Sequence, residues 1–372
     1  MNAPDVYLID RTWSWPPGSR PKPPATPSSY EILRICKLQA MFRASQFPDR
    51  SGPRSRLGTA VHRALEEIWH LVPESLSLAT SVFRRRGFEI FKACLEDERT
   101  KARNNPRESG LPWPESACRD AQISIGISAG RLLDQFRGVK GSFEGAAGAV
   151  TEELLTSRDG LLAGRPDLVL TRDGTPTVVD YKSGNLSDPD TIARFSRQTH
   201  LYAYLWHDVH GVWPTEARLV NPLAQVELVF PIAMGEASAL AADAAKRLRE
   251  VTDGGPAHEM ASVGDHCAHC PFRPWCEPYW SATDSQHHHD GRRDIEGRVL
   301  SSDVLRNEFL GGVRALIKVQ TGAGDSDIYA TRGPDVLAEV QSGMDVRVLD
   351  ATVNENTRIL SLTLWSEIFM FK

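Results

Sequence analysis

Hydrophobic and polar positions change their rhythm twice along this chain. Residues 12–28, TWSWPPGSRPKPPATPS, carry too much proline for a helix or a central strand. A helix is then predicted with Ser28 or Ser29 as N-cap, running through YEILRICKLQAMFR. TAVHRALEEIWHLV predicts a second helix, with Val61, Leu65, Ile68 and Trp69 on one apolar face. Helices over 78–103 and 116–137 flank a loop, ARNNPRESGLPWPE. From about residue 147 the period becomes strand-like. Strands are expected over 149–156, 161–171 and 176–182, the last two joined by a tight turn at RDGTP. A helix over 188–210 follows, then strands near 216–220 and 225–232. GEASALAADAAKRLREVTDGG is a helix with a glycine stop.

The polar stretch SATDSQHHHDGRRD reads as a domain boundary. It divides the chain into a Pro-rich segment at 1–27, a large α/β domain at 28–285 and a small β unit at 286–372. The β unit is expected to be independent, with strands near 294–301, 312–320, 326–332, 344–353 and 358–366. A short helix, GPDVLAEVQSG, lies between the third and fourth. The histidine run at 287–289 reads as solvated linker.

Composition narrows the class. The 372 residues are 41% hydrophobic and 24% charged, ordinary for a soluble domain plus a smaller one. No apolar run approaches the ~20 residues that span a bilayer. The N-terminus carries Asp5 and Asp10 and no apolar signal core, so a cytoplasmic protein is expected. Net charge −5 argues against a generally adhesive nucleic-acid binder and leaves room for a local basic groove. Six cysteines are too few for a disulfide scaffold in a chain this long, and clustered cysteines in a reducing compartment more often bind metal.

Two motifs carry chemistry. GRPDLVL at 164–170 and VVDYKSG at 178–184 bring Asp167 and Asp180 toward one point on adjacent strands. Lys182, two residues after Asp180, projects from the same strand face. Two carboxylates can hold Mg²⁺ or Mn²⁺, which lowers the pKa of bound water. A lysine can orient that water and steady developing charge. An isolated D-x-K is usually a solvated hairpin, but Asp180 ends an apolar run, where an idle acid is costly. The second motif, CAHCPFRPWC, sets Cys267, Cys270 and Cys276 in one loop and lacks a fourth thiolate. His266 or His269 would complete a local zinc site. Cys94 and Cys118, in helical segments, are expected to be buried apolar side chains.

These residues resemble a known family. Pro166–Asp167 and Asp180–Tyr181–Lys182 are similar to the PD-(D/E)XK nuclease signature. GTAVHRALEE, with His62, and QTHLYAYL, with Gln198 and Tyr202, resemble motifs of its RecB-like branch, and TEELL resembles the acid before the first core strand, Glu152 or, preferably, Glu153. The resemblance covers roughly residues 28–280. It implies a restriction-endonuclease-like α/β core, a mixed sheet flanked by helices. It implies Mg²⁺ or Mn²⁺ held by His62, Asp167, Asp180 and the Tyr181 carbonyl. Lys182 would position water, supported by Gln198, Tyr202 and Glu153. In the iron–sulfur branch, with its CRISPR-associated exonucleases and AddB-type domains, one cysteine precedes the core and three follow it. SYEILRICKLQAMFR and the C-x2-C-x5-C loop resemble those pieces, implying a 4Fe–4S cluster on Cys36, Cys267, Cys270 and Cys276 that staples the two ends of the domain.

The strand order of the C-terminal unit resembles an OB-fold, a barrel that often binds single strands. Arg298, Arg314, Lys318 and Arg332 with Tyr329 and Trp365 could line its groove, or the rings could belong to its core. The expectation is a metal-dependent DNA nuclease, an exonuclease on single strands or DNA ends in repair, recombination or defence. The alternative is a non-catalytic nucleic-acid-binding subunit of a helicase–nuclease complex. No G-x-x-x-x-G-K-[ST] is present, so unwinding would need a helicase partner unless the substrate is already single-stranded.

Overall fold

The computed structural model describes residues 8–9, 19–138, 146–151, 153–182, 186–224, 226–282, 286–289, 291–306, 313–322, 324–333, 335–353 and 359–371. Much of the Pro-rich segment lies outside them.

Thr26, rather than Ser28 or Ser29, caps the first helix. Its hydroxyl accepts from the Ser29 N–H at 3.0 Å, and Ser29 Oγ accepts from the Thr26 N–H at 2.7 Å. Pro27 occupies the first turn, where its missing N–H costs nothing. This helix, α1, spans Pro27–Ile35, and α2 spans Lys37–Ala44. The continuous helix expected here breaks at Cys36, whose backbone is extended at φ −152° and ψ 106°. Helices α3 (Pro53–Leu71), α4 (Thr80–Asn104) and α5 (Glu115–Gly138) form a helical layer. Val61, Leu65 and Ile68 are buried there against Phe83, Phe91, Ile125 and Leu133. A Cβ on Gly87 would lie 2.8 Å from the Ala129 Cβ, so α4 and α5 approach this closely only because that residue is glycine.

The sheet of the large domain has β1 (Ala146–Thr151), β2 (Leu168–Arg172), β3 (Thr175–Tyr181), β4 (Glu216–Asn221) and β5 (Val226–Pro231) in that order. Only the β3–β4 pair is parallel. It is bridged by α6 (Pro189–His210), capped by Asp188 and ended by left-handed Gly211. β2 and β3 join through Asp173 (φ 49°) and Gly174 (φ 76°), the two positive φ values of a tight hairpin turn. The strand expected over 149–156 is split, because Leu155–Thr156 pairs separately with Ala163–Gly164.

Strand alternation sorts the sheet's two faces. Val169, Val178 and Ala217 enter the core beneath α1, α6 and α7 (Met234–Asp253). Leu168 and Val179 pack with Trp69 of α3 and with Leu132, Phe136 and Tyr181. Asp180 thus shares its face with Val178, under α6.

The C-terminal strands are β6 (Gln286–His289), β7 (Arg292–Arg306), β8 (Val313–Thr321), β9 (Gly324–Gly333), β10 (Asp345–Val353), β11 (Leu360–Leu362) and β12 (Glu367–Phe371). β7, β8, β9, β11 and β10 close into a five-strand barrel, because β10 returns to pair with β7. The barrel is consistent with an OB-like shape, with β9 and β11 parallel. The expected helix between the third and fourth strands is one 3-10 segment, Asp335–Glu339. The histidine run expected to be linker belongs to β6, which pairs with the start of β7. Of the strand expected near 358–366 only the short β11 forms, and a further strand, β12, follows it.

The independence expected of residues 286–372 is not what the packing provides. Leu349 and Phe369 enter the large core beside Phe272 and Trp275. Arg107 and Arg50 both grip Glu367, at 2.8 and 2.9 Å. Burial alone would raise the Glu367 carboxyl, yet these guanidiniums hold it below its ordinary value. Such ion pairs join residues far apart in sequence, so hydrophobic period could not reveal them. Cys94 and Cys118 are buried, as their helical surroundings suggested. Among the described residues no helix is long and apolar enough to cross a membrane.

Candidate active site

Antiparallel pairing sets Leu168 opposite Val179. One residue beyond that pair stand Asp167 and Asp180, the convergence read from the sequence. Both line a cavity of about 480 Å³ with His62, Lys182, Gln198 and Tyr202. Asp167 Oδ2 accepts from the Tyr181 N–H at 2.6 Å and lies 3.5 Å from His62 Nδ1. Tyr181 itself points the other way, where its hydroxyl accepts from Trp69 Nε1 at 2.8 Å.

Asp180 is 1% exposed. Burial pushes its carboxyl up to about 6; the Lys182 ammonium opposes the rise and Asp167 adds to it. Lys182 Nζ is 2.6 Å from Asp180 Oδ2. This contact pairs the buried carboxylate with one ammonium. A buried ionised carboxylate is costly unless cations stand by it, and Lys182 supplies one. Two carboxylates and an imidazole at one cavity wall suit Mg²⁺ or Mn²⁺. Among the described residues no three such side chains are already closed around one point.

Helix α6 supplies the opposite wall. Gln198 Oε1 accepts from Lys182 Nζ at 3.2 Å, and Gln198 Nε2 donates to the Tyr202 hydroxyl at 3.2 Å. The i, i+4 spacing therefore makes one relay on the face that meets β3. Glu153 is not brought here. Its carboxylate lies 3.6 Å from His210 Nε2, at the far end of α6, and Glu152 lies outside the described residues. Glu66 does line the cavity and was not singled out from the sequence. It stands one helical turn after His62 on α3, so helical spacing from His62 could have pointed to it.

The break at Cys36 puts that residue on a second, smaller cavity of about 20 Å³, lined also by Cys267, Cys270, Cys276, Phe42 and Tyr279. His266 borders it too, with Nε2 2.7 Å from the Ser262 carbonyl; His269 does not line it. Burial pushes the Cys270 thiol up to about 11 and raises Cys276 as well, and in both the neighbouring cysteines add to the rise. At neutral pH these groups are therefore thiols, and among the described residues no three cysteines already stand where they could hold one ion.

On the barrel, Arg314 and Lys318 alternate along β8, and Tyr329 stands directly across from Leu316 between them. Asp327 faces Lys318 on that surface. Arg298 is exposed on β7. Trp365 is elsewhere, with its carbonyl accepting from Arg50 at the boundary with the large domain. The Arg332 side chain lies outside the description.

Comparison with known proteins adds the family. The structure titled "Crystal structure of SSO0001" is similar to this chain at 16% identity and a TM-score of 0.26, covering 57% of this chain and 95% of that one. "Structure of murine DNA binding protein bound with ds DNA" is similar at 10% identity and a TM-score of 0.19, covering 61% and 96%. At these TM-scores neither likeness carries weight. No curated protein matches significantly. The family model of the PD-(D/E)XK nuclease superfamily matches residues 24–277, a span that holds the first cavity and all four cysteines of the second. With well over half of its length matched and the signature residues together in one cavity, this chain belongs to the PD-(D/E)XK nuclease superfamily.

Proposed function

We propose that the protein is a metal-dependent DNA nuclease of the RecB-like iron–sulfur branch, hydrolysing phosphodiester bonds as an exonuclease on single-stranded DNA or DNA ends. One observation carries this reading: the buried Asp180 carboxylate faces a cavity shared with Asp167, His62 and Lys182. Asp167, Asp180 and His62, with the Tyr181 carbonyl, would hold Mg²⁺ or Mn²⁺, which acidifies water and draws charge from the phosphate. The Tyr181 N–H fixes the Asp167 carboxylate. Gln198 takes one Lys182 proton in a hydrogen bond and so aims the ammonium into the cavity, where it can orient the attacking water and balance the charge that develops. Tyr202 anchors Gln198 in turn.

The second part of the proposal is a 4Fe–4S cluster on Cys36, Cys267, Cys270 and Cys276. Its support is that Cys36 shares a cavity with the three loop cysteines, whereas local zinc would have no use for it. The barrel would hold single strands along Arg314, Tyr329 and Lys318. Work in repair, recombination or defence follows from this substrate class, with a helicase as partner wherever duplex must be opened.

The test uses end-labelled single-stranded and duplex DNA, and RNA, with Mg²⁺, Mn²⁺ or EDTA. DNA should be shortened in either metal and untouched in EDTA. Binding without cleavage under every condition would instead identify a non-catalytic subunit. Protein purified without oxygen should be brown, with iron and sulfide in equal amounts, and Cys36→Ala should lose both. A colourless protein with one zinc, indifferent to Cys36→Ala, would refute the cluster.

A further inference from the structure

Lys182 Nζ has a third neighbour besides Asp180 and Gln198. The Phe195 ring centroid lies 4.6 Å away, and the ammonium stands over the ring. Phe195 belongs to α6 one turn before Gln198, so ring and amide meet the lysine from one helix face. Phe195 is 9% exposed and packs with Leu186 and Leu219. Its ring also carries the Arg194 guanidinium, 4.7 Å from the centroid. Little water competes with the ring for the lysine, whose side chain is 12% exposed. A cation–π contact gains strength under such desolvation.

The three neighbours differ in what happens when the site is charged with a cation. Asp180 is the oxygen a divalent ion would take, and an engaged carboxylate attracts the ammonium less. Gln198 is a neutral amide already shared with Tyr202. The ring has no donor atom for a hard ion and no proton to exchange, so its hold survives. We propose that Phe195 is a positioning residue: its ring face keeps the Lys182 ammonium in place when Asp180 is engaged by a metal ion. This rests on the reading of Lys182 as the water-orienting group.

A simple core phenylalanine would make the same packing contacts, so only the ring's electrostatics separates the two roles. Phe195 can be replaced in the full-length, cluster-loaded protein by 4-fluoro-, 3,5-difluoro- and 3,4,5-trifluorophenylalanine. These keep the shape and progressively weaken the negative ring face. Single-turnover cleavage of labelled DNA in saturating Mn²⁺ should slow with each fluorine, by about tenfold overall, the scale of a partly desolvated cation–π contact. Mn²⁺ affinity and DNA affinity should stay constant. Phe195→Leu should slow cleavage at least as much. A flat rate across the fluorine series, with Lys182→Ala inactive, overturns the role of the ring alone. Lys182→Ala cleaving like wild type overturns both the ring's role and the reading beneath it.

Discussion

Asp180→Asn should abolish cleavage and, in EDTA near pH 7, make the protein more stable. Burial raises the Asp180 carboxyl from an ordinary value of 3.8 to about 6. The folded state therefore holds this proton more tightly than the unfolded chain does. That contribution to stability is fully present below the ordinary value and is lost as pH rises through about 6. At pH 7 the ionised group is a net cost, only partly offset by Lys182 at 2.6 Å. Asparagine removes the charge at nearly the same volume. The expected gain is on the order of 1–2 kcal/mol at pH 7, because Lys182 loses its ion pair in exchange. At pH 4 the gain should vanish. Urea unfolding at the two pH values in EDTA measures this, and a variant less stable than wild type at pH 7 would contradict it. Cleavage should fall by at least about a thousandfold, since an amide is a poor anchor for the ion that activates water.

Arg273→Met should produce the largest loss of stability among single changes outside the active site. Arg273 lies inside the cysteine loop, between Cys270 and Cys276, and its side chain is 7% exposed. Its Nη1 and Nη2 donate to Asp294 and Asp350 of the barrel, each at 2.9 Å. Asp294 also accepts from the Tyr279 hydroxyl at 2.8 Å. The loop is gripped from outside as well: Arg107 donates to the Pro271 carbonyl and Arg347 to the Pro274 carbonyl. Removing the guanidinium takes the bridging cation from two buried carboxylates, although the half-exposed Arg292 stays 3.8 Å from Asp350. The expected cost is about 3–5 kcal/mol. Glu96→Ala, which breaks an exposed pair with Arg103, should cost less than about 1 kcal/mol. Urea midpoints of the two variants give the comparison. Equal, small losses would mean that the barrel is seated by apolar contacts alone. The same geometry predicts that the barrel cannot be removed without disturbing the cysteine loop.

Legibility in the sequence followed the range of each interaction. Period two along VVDYK fixed which side chains share a face, and so placed Asp180 and Lys182 together beneath α6. Helical spacing did the same for Gln198 and Tyr202. The hairpin at Asp173–Gly174 was legible from turn chemistry. The break at Cys36 was not, since nothing in YEILRICKLQ disfavours helix there; tertiary packing overrides local preference. The same limit applies to Glu153. A single strand over 149–156 would have carried it toward the site, and the separate pairing of Leu155–Thr156 with Ala163–Gly164 goes with its contact to His210 instead. Barrel seating was invisible for the clearest reason: Arg273, Asp294 and Asp350 make one buried network from three distant stretches of chain. Phe195 read as another apolar helix position, because a ring's use of its face leaves no trace in periodicity.

Lys182→Ala tests the assignment of this cavity most directly. Lys182 makes no metal bond in this scheme; it orients and balances. The variant should bind Mn²⁺ and single-stranded DNA as wild type does, because the carboxylates and the phosphate contacts elsewhere remain. Its single-turnover cleavage, at matched cluster content, should fall by at least about a hundredfold. Cleavage at the wild-type rate by Lys182→Ala would contradict the assignment of this cavity as the site of phosphodiester hydrolysis.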